Sequence, residues 1–190
     1  MMNYYHLQKH IWASTDLHVN DLSKNFCHKK QNNIKALICL AAGDQQFPLI
    51  KIAKTMGYYI FAVDRNPFSK GFILADKPIV VSSYDADAII FELEKIFSND
   101  TSSYSLLGII NRSSGPPVIT AAKLSRHFNI PGVPVSSALK ILNKADFRSS
   151  ASSVGIPTPE YWVLKEGDKF EFAERNFPFV VKPALSLRGK

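Results

Sequence analysis

The sequence contains no apolar run long enough to cross a bilayer. Its longest, Ala36 to Ala42, falls far short of the ~18–20 residues that a spanning helix requires. The start, Met1-Met2-Asn3-Tyr4-Tyr5-His6, lacks the basic flank and apolar core of a secretory leader. Membrane partners are therefore not expected, and the cytoplasm is the expected compartment. Only two cysteines occur, Cys27 and Cys39, and Cys39 lies in an apolar run where a free thiol packs as a small hydrophobe. A disulfide framework is not indicated, and a reducing compartment suits the chain. Beyond residue 33 the single histidine is His127. With no Cys–His metal spacing and no nucleophilic triad, neither a zinc site nor covalent catalysis is indicated.

Glycine is missing where a dinucleotide would need it. Gly43 is followed by Asp44-Gln45-Gln46-Phe47-Pro48, and the next glycine is Gly57. Without a Gly-rich turn a pyrophosphate cannot approach a helix start, which argues against NAD or FAD although Asp64 sits where a ribose-binding acid would lie. Also missing is a concentrated basic motif. The net charge is +7, from 23 Lys and Arg against 16 Asp and Glu, but the cations are scattered and the densest cluster is only His28-Lys29-Lys30. No aromatic residues interleave with them in the RNA-binding manner, so no nucleic-acid partner is expected. A solvated basic surface that favours small anions fits better.

What is present is ordinary globular material: 46% hydrophobic and 21% charged residues. A length of 190 residues suits one full domain and part of another. Residues 1–33 form a polar N-terminal extension holding His6, His10, His18 and His28. Tyr4, Leu7 and Ile11 fall at helical spacing, which predicts a short helix over 3–13. His6 and His10 would share its face, but they have no acidic or cysteine partner for a metal.

From Ile34 the rhythm is regular. Apolar strands are predicted at Ile34–Leu40, Tyr58–Val63, Ile79–Val81 and Leu106–Ile110. Helices are predicted through Leu49–Met56, from Asp85 through Ile96, and from Pro116 to Phe128. Continuous apolar strands alternating with amphipathic helices imply a parallel sheet covered on both faces. Right-handed crossovers favour the order 3-2-1-4, giving a Rossmann-like α/β domain over 34–135. Pro131-Gly132-Val133-Pro134 interrupts the pattern. Residues 136–190 then begin an α+β unit: helices at Ala138–Asn143 and Ala145–Ser153, the extended linker Gly155-Ile156-Pro157-Thr158-Pro159, strands at Tyr161–Leu164 and Phe179–Lys182, and a polar helix around Phe170–Arg175.

Two places concentrate chemistry. One is the crevice where strand order reverses, beyond the ends of strands 1 and 4. It gathers Gly43, Asp64, Asn111 and Ser113 as candidate substrate-binding residues, and the helix after Ser113 would point N–H groups at an anion. The alternative is that Gly43 and Gly115 merely shape tight turns. The other is Phe179-Val180-Val181-Lys182-Pro183, an apolar strand carrying a lysine at its end and followed by the loop Ser186–Lys190. A fixed cation beside a flexible loop of backbone N–H donors suits a polyphosphate.

In order, the Gly43 turn with Ala-Lys-Thr-Met-Gly-Tyr at 53–58, Asp64 with Asn66-Pro67, Ala75-Asp76, Pro131-Gly132, Asn143-Lys144-Ala145-Asp146-Phe147-Arg148, Gly155–Pro159 and Pro178–Pro183 make up a pattern. From Ile34 onward the chain resembles the ATP-grasp superfamily. The branch is that of biotin carboxylase, the phosphoribosylaminoimidazole carboxylase ATPase subunit and the carbamoyl-phosphate synthase large chain. The resemblance implies a pre-grasp domain followed by the start of an ATP-grasp domain. It also implies a ligase that phosphorylates a small carboxylic acid with ATP and magnesium and passes the acyl group to an amine. It assigns ATP binding to Lys144, Lys182, Ser186 and Gly189, with Arg148 one helical turn beyond Lys144. The family's magnesium ligands, adenine-recognition segment and catalytic arginine fall beyond Lys190. The chain is therefore expected to be the N-terminal portion of such an enzyme, inactive alone; a homodimer is left open. The competing expectation is a truncated, non-catalytic module that binds a small anion or a partner chain.

Overall fold

The computed structural model describes residues 33–100, 103–169 and 178–185. The extension up to residue 32, the helix expected at 3–13, the polar helix around Phe170–Arg175, and Ser186 and Gly189 lie outside the described residues.

The protein is α/β, with a four-stranded parallel sheet of order β3-β2-β1-β4. The strands are β1 (Asn33–Leu40), β2 (Tyr59–Val63), β3 (Lys77–Ile79) and β4 (Ser103–Asn111). The helices are α1 (Phe47–Thr55), α2 (Ala86–Asn99), α3 (Pro116–His127), α4 (Val135–Leu142) and α5 (Lys144–Ser153). β1 lies between β2 and β4, and its last three residues, Ile38, Cys39 and Leu40, are all fully buried. Consecutive buried residues point to opposite faces of a strand, so both faces must be covered. One face packs Ile38, Leu40, Phe61 and Val63 against Ile89 and Leu93 of α2 and Leu124 of α3. The other packs Cys39, Ala42, Ile60 and Ala62 against Ile50 and Ala53 of α1.

Local chemistry sets the element ends. Asp85 caps α2 by accepting from the Ala88 N–H at 3.0 Å, and Asn143 caps α5 by accepting from the N–H groups of Ala145 and Asp146. In β4 the partner of Ala36 is Leu106 and that of Leu37 is Gly108, so Leu107 is the extra residue of a bulge and turns outward.

Two expectations are corrected. The third strand lies at Lys77–Ile79, not Ile79–Val81, because pairing of Val63 with Ile79 ends the ladder and leaves Val80 exposed. The strands expected at Tyr161–Leu164 and Phe179–Lys182 do not form. Neither segment is assigned to a strand, and Val163, Leu164, Val180 and Val181 are exposed. An apolar run becomes a strand only where a neighbour accepts its backbone hydrogen bonds. Among the described residues of this region the pairing found is an isolated antiparallel bridge between Asn143 and Leu185.

Candidate functional site

The parallel sheet delivers the ends of β1, β2 and β4 to one edge, where three loops meet. Ala42, just past β1, ties the first of them to the loop after β2. Its N–H donates to Asp64 Oδ2 at 2.8 Å, and its carbonyl accepts from the Gly71 N–H at 2.7 Å. The other Asp64 oxygen accepts from the Asn66 N–H at 2.9 Å. Both oxygens of the predicted substrate-binding acid are thus engaged by backbone donors, which gives Asp64 a structural task at the site's floor. Gly71 makes this close approach possible: a Cβ there would stand 2.5 Å from Ile50 Cδ1 and 2.7 Å from the Ala42 carbonyl oxygen.

Across the crevice a second set of contacts joins the loop after β1 to the loop after β4. The buried Gln46 donates through Nε2 to the Arg112 carbonyl at 3.2 Å and to Ser113 Oγ at 3.5 Å. In return, Arg112 Nη1 donates to the Gln45 carbonyl at 3.1 Å. Asn111 turns towards α3, its Nδ2 donating to the Pro117 carbonyl at 3.1 Å, while its Oδ1 is enclosed with no partner among the described residues. Buried Cys39 lies below. Burial, with a smaller contribution from the Asp64 charge, pushes its thiol up to about 12, so it stays protonated and unreactive.

Gly43, Asp64, Asn111 and Ser113 are therefore brought to one edge of the sheet, as the topology predicts. Two details differ from expectation. The turn after β1 draws its left-handed residue from Ala41, at φ 68°, and not from Gly43, where an added Cβ would meet only Gln46 Oε1 at 3.7 Å. The start of α3 is also a poorer anion site than expected. Its first two residues, Pro116 and Pro117, have no N–H, and the Val118 N–H is bonded to the Gly115 carbonyl at 3.0 Å. Gly115 itself, at φ 81° and ψ −147°, occupies a region essentially reserved for glycine. Sequence reasoning missed Gln46, because its partners lie 66 and 67 residues away and nothing local marks it.

A second group forms at the start of α5. The Lys144 N–H donates to the Ala184 carbonyl at 2.9 Å, and its Nζ donates to the Pro183 carbonyl at 3.0 Å. Lys144 is thereby set beside the segment that carries Lys182, 38 positions further on. Val180 and Val181, which lead into Lys182, are exposed. Arg148 lies with its guanidinium 5.6 Å from the Tyr161 ring, a cation–π contact.

An open concavity of about 720 Å³ lies elsewhere, along β3 and α2. Its charges are balanced, Lys77 and Lys95 against Glu92 and Asp100, and it includes none of the predicted site residues. The strand-end crevice, with its convergent polar groups, is the better candidate. Among the described residues, no group of three or more His, Cys, Asp or Glu is placed to hold a metal ion. No helix among them is long and apolar enough to cross a membrane.

No family model matches the sequence. The formate-dependent phosphoribosylglycinamide formyltransferases of Burkholderia mallei and Burkholderia thailandensis are 25% identical to it over 168 residues, covering 81% of this chain and 37% of theirs. Among solved structures, phosphoribosylglycinamide synthetase from Anaerococcus prevotii superposes with a TM-score of 0.52 at 20% identity, over 64% of this chain and 29% of that one. The L-amino acid ligase from Bacillus licheniformis gives a TM-score of 0.52 at 20% identity, over 76% and 36%. These two likenesses concern the fold. The chain spans about 37% of the length of the sequence relatives it matches.

Proposed function

From this chain's resemblance to the N-terminal part of ATP-grasp enzymes, we propose that it is the N-terminal portion of an ATP-dependent carboxylate–amine ligase. The chemistry would be activation of a small carboxylic acid as its acyl phosphate, followed by attack of an amine. The observation that carries the proposal is the contact of Lys144 with the segment that carries Lys182. Lys144 and the Lys182 segment are far apart in sequence, yet the Lys144 ammonium rests on the carbonyl next to Lys182. Two lysines carried on adjoining segments suit a polyphosphate, which needs several positive groups within reach. The strand-end crevice would then take the acid or the amine, and we assign the protein to the cytoplasm.

Magnesium accompanies ATP in such chemistry, but among the described residues no group of three or more His, Cys, Asp or Glu is placed to hold it. Turnover is proposed to require segments of the kind that make up the rest of the relatives' length. The 190-residue chain should bind nucleotide without hydrolysing it.

An NMR titration of lysine-labelled chain with ATP tests the reading. Signals of Lys144 and Lys182 should move together. Lys144→Ala should weaken the response about tenfold, the loss of one charge-assisted hydrogen bond of ~1.5 kcal/mol. Lys182, being exposed, should contribute severalfold at most. Unmoved lysines at millimolar ATP would overturn the proposal. Phosphate release above the buffer blank that disappears in Lys182→Ala would overturn the inactivity of the isolated chain.

A further inference from the structure

We propose that Arg112 is a specificity-determining residue that anchors a carboxylate of the substrate in the strand-end crevice, a group other than the carboxylate that is phosphorylated. The inference rests on the ligase reading for its second clause only.

The charges at the crevice are unequal in their engagement. Asp64 has both oxygens occupied by the N–H groups of Ala42 and Asn66. Asp44 pairs with Lys70 at 3.3 Å. The Arg112 guanidinium is exposed, and it donates to a neutral group, the Gln45 carbonyl. A guanidinium held by one carbonyl keeps most of its five donors for an incoming anion. Its backbone is fixed meanwhile, because buried Gln46 holds the Arg112 carbonyl and Ser113 Oγ. The cation is therefore positioned by its main chain, while its side-chain contact is one that an anion can replace.

The neighbouring backbone selects among anions. Phosphate sites in α/β folds draw on free N–H groups at helix starts. Here Pro116 and Pro117 remove two such donors from α3, and Pro48 removes one from the first turn of α1. The Phe47 N–H is already bonded to the Gly43 carbonyl at 3.0 Å. The starts of α1 and α3 therefore offer a tetrahedral phosphate few N–H donors, whereas a planar carboxylate needs only the guanidinium fork. An amino acid or a dicarboxylate would both present such a group.

The test is an NMR titration of the 190-residue chain labelled at the arginine side chains. Succinate, L-glutamate, glycine and inorganic phosphate are the probes, and ATP is titrated separately. The Arg112 guanidinium signal should shift with at least one carboxylate at lower concentration than with phosphate. A preference for glycine and glutamate over succinate would identify an amino acid; the reverse would identify a dicarboxylate. Arg112→Gln should weaken carboxylate binding at least tenfold, and Arg112→Lys should recover only part, since an ammonium lacks the fork. Circular dichroism confirms that both variants fold. Phosphate binding first, or equal recovery by lysine, overturns the carboxylate anchor. If no carboxylate moves Arg112 while ATP still moves Lys144 and Lys182, the anchor fails and the ligase reading stands. If carboxylates bind at Arg112 and ATP moves neither lysine, the anchor stands and the ligase reading fails.

Discussion

Replacing Asp64 separates a structural carboxylate from a ligand-binding one. In Asp64→Ala the Ala42 N–H loses its acceptor inside a fully buried residue. An unsatisfied buried donor costs ~1–3 kcal/mol. The exposed Asn66 N–H can turn to water, so its loss adds about 0.5 kcal/mol. Together these give roughly 1.5–3.5 kcal/mol, on the order of 10- to 400-fold in the folded-to-unfolded ratio. For a domain of this size that lowers the melting temperature by about 3–14 °C. Asp64→Asn should fall between, because its amide keeps one acceptor but sets an NH₂ against the other backbone donor. Urea unfolding of the three proteins, followed by circular dichroism, measures the difference. A loss below ~0.5 kcal/mol in Asp64→Ala, together with abolished ligand binding, would refute the reasoning and return Asp64 to the substrate.

Gly71→Ala should destabilise by ~1–3 kcal/mol, since its Cβ would press on the Ala42 carbonyl, whereas Gly43→Ala should be nearly neutral; parallel urea curves compare them. Cys39 should resist thiol reagents at pH 8 until the protein unfolds, and prompt labelling of the native chain would contradict its burial. Because the folded thiol pKa is raised from 9.0 to about 12, its stabilising contribution should be complete below pH 9 and lost as pH climbs towards 12. A Cys39→Ala variant should show a shallower alkaline loss. Amide exchange should be slow at Ile38–Leu40 and Phe61–Val63 and fast over 178–185, which lies outside the sheet and meets the rest of the chain at an isolated bridge and at Lys144. Equal protection in both regions would count against the absence of strands there.

The sheet was legible because its signals are local. Fully apolar runs such as Ala36–Ala42 can only be strands buried on two faces, and helices of one-sided apolarity between them leave few topologies, from which handedness selects 3-2-1-4. Caps were legible for the same reason: Asp85 needs only the backbone N–H three residues on. Local signals also misled. Val180 and Val181 have strand propensity, but a strand requires a partner, and none of its neighbours in sequence could reveal whether one is near. The position of Asp64 at a strand end was predictable, yet its two backbone partners, one of them 22 residues away, were not. The Gln46–Arg112 latch and the Lys144–Pro183 contact likewise exist only because the fold brings distant loops within 3.5 Å. Sequence alone determined the order of the sheet, the helices packed on it and the edge at which its polar residues gather. The tertiary structure decided which of those residues are consumed in holding the loops and which keep hydrogen-bonding capacity for a ligand, because that depends on donors and acceptors far away along the chain.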